Sequence, residues 1–151
     1  MAGEGARTGA GGGSRVPRGR NTQPVRRPKD WFRQAELDLE AARDNQRTGH
    51  FEWACFLAQQ AAEKAAKALH EAAGTEAWGN SAAALLAGLE GVPPELVDLG
   101  RALDKHYIPT RYPNTHPQGA PGDLYTAREA ERALADAEVI VEHVGSRLSS
   151  T

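Results

Sequence analysis

The stretch FEWACFLAQQAAEKAAKALHEAA, residues 51–73, is the strongest indication of fold class in this 151-residue chain. Its apolar side chains recur three and four residues apart, as they do along the buried face of an α-helix. They are Ala54, Leu57, Ala58, Ala61, Ala65, Leu69 and Ala72. Gly74 follows, and glycine often ends a helix because it adopts the left-handed conformation without strain. The stretch predicts one long helix, and its small side chains favour close approach of neighbouring helices.

Two further helices are predicted on either side of residues 51–73. Asp30 is expected to cap a first helix that ends near Gly49. The apolar positions of that helix have helical spacing and are Trp31, Ala35, Leu39 and Ala42. A shorter helix is expected over about 81–89. Helical patterns therefore continue in both directions from the central stretch.

The second half of the chain predicts two more helices, separated by a loop. Pro94 is expected in the first turn of one of them, where proline is tolerated. Its apolar stripe is Leu96, Leu99, Leu103 and Tyr107. Thr126 and Glu129 have capping-box spacing at the start of the other. The apolar positions of this last helix are Ala130, Ala133, Leu134, Ala137, Ile140, Val141, Val144 and Leu148.

Prolines and the absence of strand patterns complete the fold prediction. Four prolines between residues 109 and 121 exclude a regular helix there, so a long proline-rich loop is expected before the last helix. No segment alternates apolar and polar residues with period two. The sequence therefore predicts an all-α fold, a compact antiparallel helical bundle.

The first 28 residues differ in composition from the rest of the chain. They carry six arginines and one acidic residue, Glu4, and are rich in glycine and proline. The remaining chain carries 12 basic and 19 acidic residues, so the net charge of −2 describes neither part. Large apolar side chains are nearly absent from the leader, and no core can offset its chain entropy. We predict a disordered leader over 1–28 and one helical domain over 29–150.

Several classes of protein are excluded or disfavoured by composition. No run approaches the roughly 18 apolar residues that a membrane-spanning helix needs, and the N-terminus lacks the apolar core of a secretory signal. Cys55 is the single cysteine, so disulfides cannot brace the fold. No cluster of histidines and carboxylates has metal-ligand spacing, and no glycine-rich phosphate loop is present. We expect a cytoplasmic protein with no metal and no cofactor.

One face of the helix over 51–73 is polar and carries two positive charges. Helical geometry places five side chains in one narrow stripe: Trp53, Gln60, Lys64, Lys67 and Glu71. One interpretation is a solvated face with an ion pair between Glu63 and Lys67. The other is half of an anion-binding groove, with two ammonium groups one turn apart and an indole on which a base can stack.

The loop between the last two helices concentrates side chains that bind or react with nucleotides. Within eleven residues it carries His106, Tyr107, Arg111, Tyr112, Asn114 and His116. Arginine binds phosphate with two parallel hydrogen bonds, tyrosine stacks on bases, and histidine titrates near neutral pH. The alternative is a proline-braced loop whose tyrosines close one end of the bundle. In the binding interpretation, Arg111 and Lys64 or Lys67 contact phosphates, and Tyr107, Tyr112 or Trp53 stacks on a base.

Two of these segments together resemble the HEPN domain family. They are Gln59-Gln60-Ala61-Ala62-Glu63-Lys64 in the central helix and Thr110-Arg111-Tyr112-Pro113 in the loop. The similarity extends over about residues 30–148. The family includes small stand-alone prokaryotic proteins and the C-terminal domain of sacsin. The resemblance implies a five-helix, up-and-down bundle that commonly forms a homodimer and binds a nucleotide. For prokaryotic members it also implies a small nucleotidyltransferase as partner.

The resemblance leaves three functions open. The main prediction is a dimeric module that binds a nucleotide or RNA. The first alternative is a metal-independent endoribonuclease, often a toxin in this family, that uses an Arg-x(4–6)-His motif; here Arg111 and His116 have that spacing. His116 would then move a proton and Arg111 would stabilise charge on the phosphate. Tyr112 and the flanking prolines differ from the nuclease pattern, which favours binding. The second alternative is a non-catalytic protein-interaction or dimerisation module.

Overall fold

The computed structural model describes residues 25–150, and every regular element in that range is helical. The α-helices are α1 (Pro28–Arg47), α2 (Phe51–Ala73), α3 (Ala82–Ala87), α4 (Pro94–Asp104), α5 (Pro121–Leu124) and α6 (Ala127–Ser149). A 3₁₀ turn covers Pro113–Thr115. The all-α prediction is confirmed, but residues 25–150 contain six helices rather than the expected five, because the short α5 lies within the proline-rich loop. The long elements are α1, α2, α4 and α6, whereas α3 and α5 are short.

Helix α2 forms the centre of the bundle. It packs along α1 and α6, while α3 and α4 pack against each other and against the same helix. α1 and α6 contact each other much less than either contacts α2. Alanines supply most of the buried face of α2, so neighbouring helix axes lie close to it. The larger buried side chains come from its partners and include Leu86, Leu103, Ile140 and Val144.

The start of α1 differs from the sequence prediction. Asp30 was expected to cap the helix, but the N-cap residue is Arg27 and Pro28 occupies the first helical position. Proline fits there because its φ is already helical and its missing N–H would have no partner. Asp30 lies in the first turn, and its Oδ2 is 2.8 Å from Nε of Arg27.

The predictions for α2 and α6 are confirmed at their termini. α2 covers Phe51–Ala73, and Gly74 ends it in the left-handed conformation with φ of 72°. At the start of α6, the backbone N–H of Glu129 donates to the Thr126 hydroxyl at 3.2 Å. The Thr126 N–H donates to the Glu129 carboxylate at 3.0 Å, which completes the capping box.

Three details in the middle of the chain correct the prediction. Ser81 precedes α3 as its N-cap, and its hydroxyl accepts from the N–H of Ala84. α4 ends at Asp104, so Tyr107 lies beyond the helix that was expected to contain it. The proline-rich loop contains a 3₁₀ turn and α5, each of which begins at a proline. Proline breaks a helix when it lies in the interior but is tolerated in the first turn, which explains why helical turns begin at prolines within this loop.

The folded contacts begin slightly before the predicted domain boundary at residue 29. The Arg26 guanidinium lies 3.5 Å from Glu71 and donates to backbone carbonyls at the end of α2. The Arg27 N–H donates to the Glu71 carboxylate at 2.7 Å. Most of the leader predicted to be disordered, residues 1–24, lies outside the described residues. Within residues 25–150, no helix has both the length and the apolar character needed to cross a membrane.

Candidate functional site

The position of the loop after α4 depends on the carboxylate of Asp104. Its Oδ1 accepts from the N–H of Ala82 at 2.8 Å and from the Gln59 amide at 3.0 Å. Its Oδ2 accepts from the Ser81 hydroxyl at 2.7 Å and from the N–H of Ala83 at 3.1 Å. Asp104 thus joins α4, α2 and the N-terminus of α3 at one point. Residues 105–112 follow directly and are held against α2.

Arg111 lies among aromatic rings in this segment. Its Nε and Nη2 donate to the carbonyl of Tyr107 at 3.0 and 2.6 Å. The guanidinium carbon is 4.5 Å from the ring centroid of Phe56, 4.7 Å from that of Tyr107 and 5.2 Å from that of Tyr112. Within residues 25–150, no carboxylate lies at ion-pair distance from Arg111. Within the described residues, the partners of this positive charge are therefore aromatic rings and one carbonyl.

The rings around Arg111 continue into an exposed surface. Trp53 contacts Phe56 edge to face, with centroids 5.9 Å apart, and Phe56 lies 6.1 Å from Tyr107. Tyr112 is 46% exposed and Trp53 is 42% exposed. We call Trp53, Phe56, Tyr107, Arg111 and Tyr112 the arginine–aromatic cluster. The structure brings these five residues together from α2 and from the loop, and four of them were singled out from the sequence.

The two lysines singled out on α2 have carboxylate partners. Nζ of Lys64 is 2.5 Å from Oδ2 of Asp38 on α1. Nζ of Lys67 is 3.0 Å from Glu63 and lies 5.4 Å from the ring centroid of Trp31. The predicted ion pair between Glu63 and Lys67 is present, but the face is not the solvated one expected, because both side chains are largely buried. The pair between Lys64 and Asp38 was not predicted. Binding of an anion by either lysine would compete with a carboxylate.

Gln60 connects this lysine stripe to the buried Gln59, which was not among the site residues expected from the sequence. The Gln60 amide donates to the Gln59 side chain at 2.9 Å. Gln59 is fully buried and donates to the carbonyl of Asn80 and to Asp104. The sequence does carry a signal for Gln59, which is a polar side chain on the alanine-rich face of α2. A buried amide needs hydrogen-bond partners from other elements, so its position predicts a structural polar contact there.

His116 lies in a separate group of side chains from Arg111. Its Nε2 donates to the carbonyl of Pro109 at 2.7 Å, which leaves Nδ1 unprotonated in the neutral ring. Its ring contacts Tyr125 edge to face, with centroids 6.3 Å apart. Nδ1 of His106 is 3.1 Å from the Tyr125 hydroxyl. Within residues 25–150, no hydrogen bond or ring contact joins His116 to Arg111.

Burial shifts three titrating groups near Tyr125. It lowers the pKa of His106, so this imidazole is neutral at physiological pH. It raises the pKa of the Tyr125 hydroxyl to about 12, and the carboxylate of Glu129 adds to that shift. It also raises the pKa of the buried Cys55 thiol to about 12, which makes this thiol a poor nucleophile. In the described part of the chain, no group of three or more His, Cys, Asp or Glu side chains has metal-binding geometry.

The fold is thus that of a small helical bundle, with an arginine held among aromatic rings at its surface. Comparison with protein families makes the class specific, because a HEPN domain profile matches residues 28–147. This chain belongs to the HEPN domain family. A search of curated proteins gives no significant match.

Three solved structures are similar to this chain over nearly their whole length. TT1696 from Thermus thermophilus is 47% identical and superposes with a TM-score of 0.77, covering 81% of this chain and 98% of that one. ST0689, an archaeal HEPN homologue, is 41% identical with a TM-score of 0.71 and coverages of 82% and 98%. A HEPN domain protein from Thermotoga maritima is 36% identical with a TM-score of 0.65 and coverages of 81% and 99%.

Proposed function

We propose that this protein binds a nucleotide or RNA at the arginine–aromatic cluster. The observation that supports this is Arg111, whose guanidinium has no carboxylate partner within residues 25–150 and is oriented by the carbonyl of Tyr107. Arg101, by contrast, pairs with Asp98 on its own helix. A guanidinium without such a partner, oriented in advance, suits a phosphate.

The rings beside Arg111 supply the second half of the recognition. Trp53 and Tyr112 are partly exposed and present aromatic surface on which a base can stack. Stacking tolerates any base, whereas the guanidinium requires an anion, so the pair selects nucleotides over other anions. Lys64 and Lys67 lie further along α2 and contribute a weaker positive field, because both ammonium groups have carboxylate partners. Gln60, beside them, offers an uncharged amide for hydrogen bonds.

Replacing Arg111 with alanine is expected to weaken RNA binding at least about tenfold, because the anion contact is lost. The measurement is fluorescence anisotropy of the full chain with a labelled 12-nucleotide single-stranded RNA and, separately, with a fluorescent ATP analogue. Arg101→Ala removes the same charge from an exposed helix position and serves as the matched control. Arg111→Lys is expected to bind at an intermediate level, because an ammonium group cannot make the planar bidentate contact.

Two outcomes would contradict the binding proposal. In the first, Arg111→Ala and Arg101→Ala lower affinity equally, so that only net charge matters. In the second, circular dichroism shows that Arg111→Ala is unfolded, so that the role of Arg111 is to tie the loop to the bundle.

The same RNA, incubated with chelator, also tests the ribonuclease alternative. We expect intact RNA with both wild type and His116→Ala, because Nε2 of His116 is occupied by Pro109. Cleavage by wild type alone would favour the enzyme.

We also propose that the functional form is a homodimer. HEPN proteins often dimerise, and this chain exposes large apolar side chains outside the arginine–aromatic cluster, among them Trp78, Ile108 and Leu124, while its core relies on small alanines. Association would bury these large side chains and add to a thin core. Sedimentation at micromolar concentration is expected to give twice the 16.2 kDa chain mass. A monomer at that concentration would contradict the proposal.

Family membership supports two further parts of the proposal. Prokaryotic HEPN proteins often act beside a small nucleotidyltransferase, and we propose such an enzyme as a partner of this chain. We propose the cytoplasm as its location, where both nucleotides and RNA are present.

A further inference from the structure

A groove runs between α1 and α6, on a different side of the molecule from the arginine–aromatic cluster. It has a volume of about 1110 Å³. It exists because α1 and α6 each pack on α2 but contact each other over little of their length. Phe56 of the cluster and Ala72, which lines the continuation of the groove, lie about 160° apart around α2 at 100° per residue. The two surfaces are therefore separate.

The groove has the dimensions and the floor that suit an α-helix. Its α6 side extends from Ala135 to Ser149, which corresponds to about 21 Å of helix, or four turns. Small side chains along this side permit close approach of another backbone. Phe32 and Val139 supply apolar surface, and Val139 is 46% exposed. The Phe32 ring lies over Gly145, where a Cβ atom would be 3.0 Å from Cζ of the ring.

The central part of the groove is acidic. Three carboxylates line it, those of Glu36, Glu138 and Glu142, together with the guanidinium of Arg43. Arg43 is already bound to Glu138 at 2.9 and 3.1 Å. Glu36 forms a 3.8 Å ion pair with Arg33, and Glu142 has no ion pair within residues 25–150. Three carboxylates and one guanidinium line this part of the groove, so its lining carries a net negative charge.

We propose that this groove binds an amphipathic helix of a partner protein, with its apolar stripe on Phe32 and Val139 and its basic side chains beside Glu36 and Glu142. Helix-in-groove binding uses this combination of an apolar floor and a charged rim. A second copy of the chain fits less well, because a two-fold axis at the middle of the groove would place these carboxylates against their own equivalents. Because the groove is remote from Arg111, a partner helix and the nucleotide of the proposed function can occupy the protein at the same time.

A designed peptide tests the proposal with the full chain. The probe is a fluorescein-labelled 18-residue helix with leucine along one stripe and lysine elsewhere, and a matched peptide carries glutamate in place of lysine. Wild type is expected to bind the lysine peptide at least tenfold more tightly than the glutamate peptide. The double variant Glu36→Lys/Glu142→Lys is expected to lose at least tenfold affinity for the lysine peptide. Val139→Asp is expected to lose as much, because it places a charge on the apolar floor.

The control variant is Glu90→Lys/Glu95→Lys, which makes the same change of net charge at exposed positions outside the groove. It is expected to keep affinity within about twofold of wild type. Equal loss in the two double variants would overturn the proposal, since the peptide would then sense only overall charge. Unchanged binding by Val139→Asp, with its fold intact by circular dichroism, would also overturn it. A third result would overturn the proposal: a wild type that is a dimer and a Val139→Asp variant that is a monomer. The groove would then be the contact between two copies of the chain.

Discussion

Replacing Asp104 with alanine is expected to lower the free energy of unfolding by about 3 kcal/mol. The carboxylate accepts from the backbone N–H groups of Ala82 and Ala83, from the Ser81 hydroxyl and from the Gln59 amide. It therefore satisfies the first turn of α3 and the buried amide at once, and both lose this acceptor in the variant. Urea denaturation followed by circular dichroism measures the change.

Two further variants show whether the loss comes from these hydrogen bonds. Asp104→Asn keeps one acceptor oxygen and is expected to lose about half as much stability. Asp98→Ala removes an exposed carboxylate of the same helix and is expected to change stability by less than about 0.5 kcal/mol. Because residues 105–112 follow Asp104 directly, Asp104→Ala is also expected to weaken RNA binding. A loss of stability no larger than that of Asp98→Ala would refute the role assigned to Asp104, which is to join α4 to α2 and to the start of α3.

Gly100→Ala is expected to cost about 2 kcal/mol, although alanine favours helix over glycine by roughly 1 kcal/mol. A Cβ atom at position 100 of α4 would lie 2.9 Å from N and 3.0 Å from Cα of Ala83. Both atoms belong to the backbone of α3, so neither can rotate away and the two helices must separate. Thermal unfolding would show a lower Tm.

The matched control for Gly100→Ala is Gly88→Ala, at the C-terminal end of α3. A Cβ atom there would meet Cε1 of His70 at 3.5 Å, an ordinary contact, and φ is −82°. Its stability is expected to stay within about 0.5 kcal/mol of wild type. If the two variants lost equal stability, the close approach of α4 to α3 would not be the cause.

Elements with local signals were the ones predicted closely. Residues 51–73 carry an unbroken apolar arc and a terminal glycine, and Thr126 and Glu129 cap each other, so both helices follow from neighbouring residues alone. The start of α1 was placed wrongly because Asp30 and Pro28 both resemble start signals and the proline takes precedence. The helical turns at Pro113 and Pro121 do not follow from the sequence, because four closely spaced prolines exclude a long helix there without indicating that short turns begin at two of them.

The candidate site was predicted in part. Arg111, Tyr107 and Tyr112 are close in the sequence, and the chemistry of these side chains alone indicates phosphate and base binding. Phe56 was not singled out, because its contact with Arg111 depends on how the loop returns to α2. Likewise, the partner of Lys64 is Asp38, 26 residues away on α1. Pairing of this kind removes a positive charge from a predicted site, and side-chain spacing within one helix carries no information about it.

The helical fold class, the positions of the longest helices and the grouping of one arginine and two tyrosines in one loop all follow from the sequence alone. These properties depend on spacing within a few turns of chain, where helical periodicity and capping act. The packing of the helices sets the surroundings of each side chain, so that Arg111 has rings for neighbours while Lys64 and Lys67 have carboxylates. It also determines that Asp104 caps α3 and that α1 and α6 leave a groove. Each of these depends on contacts between helices, which arise when the bundle packs and which no local pattern encodes.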